Sequence, residues 1–298
     1  MNLEKFHAER RKGIGGSDVA AIMGISQWKT AYQVWLDKLG RSAPTADNAA
    51  MMWGRNLEPV IRQHYCDITG RAVHMQEQAY VSNEHEFAIA HLDGMTEDGR
   101  VLEIKTARTG ERFGEAGTDE VPFEYLLQVQ HYMLVTGAEV ADVAVLIGGQ
   151  DFRIYEVRAD RELHKIIIKH EERFWNHVTS QTPPAAMSVA DAQAQFGSYS
   201  QAKQVIADDA VEKKVVKIKH IKQLISNLEA DEDRLKAQIM SLIGDSDTLV
   251  SRDGKPLVTW KTAKGRTALN QSALKEKYPE IYQEFVYTSE PTRRFLIK

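Results

Sequence analysis

A single cysteine, Cys66, in 298 residues excludes an internal disulfide and a cysteine-rich zinc site. The histidines at 64, 74, 85, 91 and 131 are scattered and make no cluster at metal-ligand spacing. No apolar run approaches the roughly 20 residues that cross a bilayer. The first eleven residues are charged and carry no apolar signal segment, so a cytoplasmic protein without a membrane partner is expected. An overall basic charge is also missing: the net charge is −4, which does not advertise a nucleic-acid binder. The balance is uneven. Residues 201–298 hold 18 Lys and Arg against 14 Asp and Glu, leaving 20 against 28 in the first 200. A hydrophobic content of 43% suits one large domain or two moderate ones with a real core.

What is present centres on residues 87–106. Residues 87–94 read as a strand ending on the carboxylate of Asp93, and residues 101–106 read as a second strand. Asp98-Gly99 between them favours a tight hairpin. Alternation along a strand places Glu103 and Lys105 on one face, with Leu102 and Ile104 on the other. The hairpin brings Asp93 near Glu103. Two carboxylates and an ammonium suit a hard divalent cation, which takes one or two carboxylates plus water and phosphate. Taken alone, a Glu-x-Lys triplet is more often an exposed hairpin with an ion pair; Asp93 at the end of the preceding strand brings the two readings level.

Asp93 followed ten residues later by Glu103-Ile104-Lys105 resembles the core of restriction-endonuclease-like nucleases. The chain resembles one branch in particular, the lambda-exonuclease-like or YqaJ-like viral recombinase nucleases. Gly15-Gly16-Ser17-Asp18, Trp53-Gly54-Arg55-Asn56-Leu57-Glu58-Pro59, His91-Leu92-Asp93-Gly94 and Gln128-Val129-Gln130-His131-Tyr132 follow the family's order over residues 5–180. Leu92 stands where a proline is usual.

The resemblance implies an α/β (α+β) fold, a mixed sheet flanked by helices. It implies Mg2+, with Mn2+ able to substitute, held by Asp93, Glu103 and the Ile104 carbonyl and supported by Glu58. Lys105 would activate or position the nucleophile, Gln128 would tune it, and Tyr132 would support Gln128 or touch DNA. Arg10, or else Arg11, and Ser17 would hold a terminal 5′ phosphate. The implied reaction is 5′-to-3′ exonuclease action on double-stranded ends, passing 3′ single strands to a single-strand annealing protein, by a ring-shaped trimer. Two rivals stand beside it: an endonuclease of the same fold, and a non-catalytic DNA-binding or adaptor protein on a nuclease scaffold.

The remaining elements follow from pattern and punctuation. Residues 3–12 read as a basic helix, broken by glycines, with Ser17 capping a helix over 18–23. By residue type this is more readily a plain glycine turn with a capping serine than an anion site of amides and arginines, and the resemblance reverses that order. Helices are predicted over 31–38, 48–69, 122–136 and 160–180, with strands over 72–81, 140–147 and 151–157. Pro59 either kinks the 48–69 helix or begins it. In the loop 106–119, Arg108 and Arg112 read either as part of a segment closing on DNA or as plain surface.

The nuclease domain is expected over 1–184, a linker over 185–209, and an accessory module over 210–298. In that module Val211, Ile218, Ile225 and Ile239 alternate with Ile221, Leu228, Leu235 and Leu242 as heptads. Glu232 interrupts the first series and Lys214 the second. A coiled coil and a helix lying on its own domain are equally compatible. A hairpin around Asp253-Gly254, a helix over 271–285 and a strand over 293–297 complete the module.

Overall fold

The computed structural model describes residues 8–42, 47–198, 204–289 and 292–298. Its centre is a five-stranded sheet in the order β1 (Val73–His74), β4 (Gly94–Thr96), β5 (Val101–Ala107), β6 (Val140–Ile147), β7 (Asp151–Arg158). β5 and β6 are parallel, and the other neighbours are antiparallel. The parallel pair needs a crossover, supplied by helix α4 (Phe123–Thr136). Pro122 starts that helix and Gly137 ends it at φ 78°.

Helices cover both faces, as the mixed-sheet expectation requires. On one face Val129, Tyr132 and Met133 of α4 pack with Val101, Val143, Val145 and Tyr155. On the other, Ile61 and Tyr65 of α3 (Ala49–Thr69) pack with Leu102, Ile104 and Ala144. β5 therefore presents Val101, Glu103 and Lys105 toward α4, and Leu102 and Ile104 toward α3. α1 (Gly16–Ile22) and α5 (Arg161–Thr179) pack on α4, and α2 (Ala31–Lys38) packs on α1 and α5.

Several expectations are corrected. The 72–81 strand is two short ones: β1 joins the main sheet, whereas β2 (Tyr80–Val81) pairs with β3 (Ile89–Ala90). The 87–94 strand is likewise divided, so the hairpin partner of β5 is β4, and Asp93 sits just before it. Helix α3 runs unbroken from Ala49 through Pro59. The proline withholds a bond from the carbonyl of Arg55, an exposed residue that water can serve. Of the predicted 3–12 helix, residues 8–10 are helical and 3–7 lie outside the described residues.

The chain forms two units, 1–196 and 197–298. The first extends past Pro184 through α6 (Val189–Phe196), because Asp191 is buried. It accepts hydrogen bonds from the Thr30 hydroxyl at 2.9 Å and from the amides of Met187 and Ser188. A chain ending at Phe196 should therefore fold with a sharp thermal transition. One ending at Pro184 should melt at a lower temperature, having left Thr30 without Asp191. Equal melting of the two would show that α6 contributes nothing.

The second unit contains α7 (Asp209–Ile243), a hairpin of β8 (Thr248–Val250) and β9 (Pro256–Thr259), and two short helices, α8 (Gln271–Lys277) and α9 (Pro279–Phe285). The single helix expected over 271–285 breaks at Tyr278, where Pro279 starts a new one. Residues 293–297 form no strand; the two-stranded sheet pairs only within itself.

Candidate active site

The alternation of β5 sets up the site. Glu103 is 3% exposed on the face toward α4, where an unpaired carboxylate would be costly. It is not unpaired: Lys105 Nζ and Gln128 Nε2 both donate to Glu103 Oε1, the latter at 2.7 Å. Lys105 also donates to Gln128 Oε1 at 3.2 Å and lies over the Tyr125 ring. Gln128 Nε2 is 2.9 Å from the Tyr132 hydroxyl. One turn of α4 thus locks the two charged side chains of β5.

Asp93 arrives from the loop before β4. Its Oδ2 accepts from the Ile104 amide at 2.7 Å, which pins it beside Glu103 across the hairpin. Arg62 of α3 donates to the Asp93 carbonyl at 2.9 Å and to Glu58 Oε1, so Glu58 faces the same place. Burial, and then the neighbouring Glu103, push the Asp93 carboxyl up to about 7. Burial and Asp93 also raise Glu58. Burial opposes the charged form of Lys105, but Glu103 and Asp93 outweigh it and its pKa rises. Negative charge is therefore in excess here.

The donors are all oxygen: the carboxylates of Asp93, Glu103 and Glu58, with the Ile104 carbonyl on the same strand. Among the described residues no three His, Cys, Asp or Glu side chains are grouped closely enough to hold a metal ion by themselves. Such a set fits a hard ion that keeps water or phosphate among its ligands, as magnesium does.

Arg10 and Ser17 line the same cavity of about 480 Å3 as Glu58, Asp93, Glu103 and Gln128. Arg10 donates to Ser17 Oγ at 2.7 Å. Ser17 is not the helix cap. Gly15 takes that position, and Asp18 at the third helical residue accepts from the Gly15 amide at 3.2 Å. The Gly15 amide is thus already bonded, while Arg10 and Ser17 line the cavity with a guanidinium and a hydroxyl. The glycines have a separate reason: a Cβ on Gly16 would meet the Gln128 carbonyl at 2.8 Å and the Tyr132 ring at 2.6 Å. Only a glycine lets α1 lie this close to α4.

Arg11 lies elsewhere, its guanidinium against Gly40, and Arg108 is exposed on the loop after β5. Residue pattern alone missed Asp18, Lys38 and Arg62. Lys38 Nζ donates to Asp18 Oδ2 and to the Arg10 carbonyl, both at 2.7 Å, so a buried ion pair anchors the arginine. Lys38 and Arg10 overcome burial and hold the Asp18 carboxyl at about 2. Lys38 is the last residue and the only lysine of α2, and nothing but its depth sets it apart from a surface lysine. A second cavity, of about 490 Å3, is lined by Ser82, His85, Arg161 and Lys165 among others and includes none of the converging carboxylates.

This fold has relatives. A structure of an alkaline exonuclease from Laribacter hongkongensis covers 60% of this chain and 94% of its own, with a TM-score of 0.50 and 21% identity. The same exonuclease in complex with dAMP gives the same coverage and TM-score at 22% identity. At this identity the likeness establishes the fold. The family model for the YqaJ-like viral recombinase domain matches residues 5–139. The uncharacterized protein YqaJ of Bacillus subtilis is 31% identical over 307 aligned residues, spanning 100% of this chain and 95% of its own. On that full-length match, the chain belongs to the YqaJ-like viral recombinase family.

Proposed function

We propose that the protein is a metal-dependent deoxyribonuclease that degrades double-stranded ends from the 5′ terminus. One observation carries this reading: Asp93, Glu103 and Gln128 line one cavity with Arg10 and Ser17, and Lys105 is hydrogen-bonded to both Glu103 and Gln128. Likeness of fold to an exonuclease that binds dAMP supports it. Asp93, Glu103 and the Ile104 carbonyl would hold a magnesium ion, with Glu58 beside it. When bound, such an ion acidifies water and offsets the charge growing on phosphate.

The chain's own groups do the rest. Gln128 keeps Lys105 and Glu103 in register, so the ammonium stands where it can orient a water for attack on phosphorus. Asp93 is held by the Ile104 amide and lines the cavity. Arg10 and Ser17 offer a guanidinium and a hydroxyl to a terminal phosphate, a charge-assisted pairing. The 3′ strand left behind would pass to an annealing protein.

Arg10 makes the test. Linear duplex bearing a 5′ phosphate should be degraded faster than the same duplex with a 5′ hydroxyl. A charge-assisted bond is worth about 1.5–3 kcal/mol, so the preference should be about tenfold or more. Arg10→Ala should shrink it, and closed circular duplex should resist. Release of label from 5′- and 3′-labelled duplexes, with supercoiled plasmid alongside, decides the matter. Rapid nicking of the plasmid would mark an endonuclease, and early loss of the 3′ label would reverse the direction.

A further inference from the structure

The second unit carries a 35-residue helix, α7, whose apolar seam its own unit leaves uncovered. Val211, Ile221, Ile225, Leu228 and Leu235 are 43%, 43%, 50%, 67% and 56% exposed. The heptad places Val211, Ile218, Ile225 and Glu232 at one seam position, and Lys214, Ile221, Leu228 and Leu235 at the other. Glu232 and Lys214 are the charged exceptions. Both are exposed, and in the single chain Glu232 pairs with Lys236 on its own helix at 2.7 Å.

We infer that α7 pairs with α7 of a second copy of this chain, antiparallel and centred on Gln223. In an antiparallel pair, residues equally far from the centre in sequence meet in one layer. About Gln223 those layers are Ile221 with Ile225, Ile218 with Leu228, Lys214 with Glu232, and Val211 with Leu235. Each residue meets its counterpart on the other copy, and every layer occurs twice by symmetry. The two charged exceptions therefore fall opposite each other and neutralise one another. A parallel in-register pair would instead set Glu232 against Glu232 and Lys214 against Lys214, a like-charge contact at the seam.

The flanks agree. Lys213, Lys214, Lys217, Lys219 and Lys222 make the first half of the helix basic, whereas Glu229, Asp231, Glu232 and Asp233 make the next stretch acidic. Antiparallel alignment lays one against the other, with Lys217 beside Asp231 at the seam's edge.

The test uses the full chain with Cys66→Ser, so that introduced cysteines are the only ones. Ile218→Cys and Leu228→Cys in one chain are ten residues apart on a single helix, about 15 Å. That is too far for an internal disulfide, so any bridge joins two copies. Mild oxidation should link position 218 to position 228, read by peptide mass mapping. Adding Lys214→Glu should weaken the pairing at least about tenfold, because it sets two carboxylates in each charged layer. The double swap Lys214→Glu with Glu232→Lys should restore both the bridge and the affinity, measured by sedimentation. Circular dichroism checks that each variant stays helical. Bridges from 218 to 218, no bridge at all, or a swap that fails to rescue would overturn the inference.

Discussion

Glu103→Gln and Lys105→Ala should each abolish DNA hydrolysis while the protein stays folded. Losing a single preorganised charge-stabilising group costs about 10²–10³ in rate, which sets the smallest drop expected. Glu103 is the more sensitive of the two, because its Oε1 accepts from both Lys105 and Gln128. Glutamine at 103 keeps the volume and one acceptor but removes the charge that faces Lys105, so it should cost less stability than alanine without being neutral. Alanine there would strand the Lys105 ammonium, whose side chain is only 20% exposed. Chelation with EDTA should silence the wild-type enzyme, and magnesium or manganese should restore it. The checks are turnover of labelled duplex and thermal melting of each variant. Full activity in Lys105→Ala, or wild-type activity that survives EDTA, would remove the metal-nuclease reading.

His131→Ala should be among the most destabilising single changes, about 3–5 kcal/mol, because it breaks a fully buried ionic pair. His131 Nδ1 is 2.7 Å from Glu171 Oε1, both side chains are 0% exposed, and the pair ties α4 to α5. Nε2 is 2.9 Å from the Ile89 carbonyl, which can only accept, so that nitrogen carries a proton. Glu171 Oε2 has no hydrogen-bond partner among the described residues, which leaves the carboxylate dependent on His131. Burial disfavours the imidazolium, but Glu171 outweighs burial and raises the His131 pKa above its ordinary 6.5. A histidine raised in this way stabilises fully below its unfolded pKa and loses that contribution as pH climbs through the folded value. The stability of wild type over a doubly apolar variant, His131→Leu with Glu171→Met, should therefore narrow between pH 6 and 9. Urea midpoints across that range measure it, and a gap that widens with pH would contradict the assignment.

Wherever a residue's neighbours in sequence are also its neighbours in space, the amino-acid order specified the outcome. Helix α2, α4, strands β6 and β7, and the turn at Gly99 follow from periodicity and punctuation read over a few residues. The pairing of Glu103 with Lys105 on one face is of the same kind, since alternation along a strand needs no tertiary partner. Naming Glu58 and Gln128, by contrast, took a resemblance, because nothing local separates them from surface residues.

Tertiary contact decided the rest. Residues 72–81 carry one strand-like pattern, yet their two ends join different sheets, because β3 offers an edge to Tyr80–Val81 that β4 does not. Ser17 looks like a cap, but Asp18 takes the Gly15 amide once Lys38 comes close enough to neutralise it. Gly16 is a glycine because a ring and a carbonyl from a helix more than 100 residues away crowd its α-carbon. His131 and Glu171 look like surface residues of two amphipathic helices, and only the packing of those helices makes them a pair. Burial is a property of the assembled chain, and it is burial that converts an ordinary lysine or glutamate into a residue the fold cannot lose.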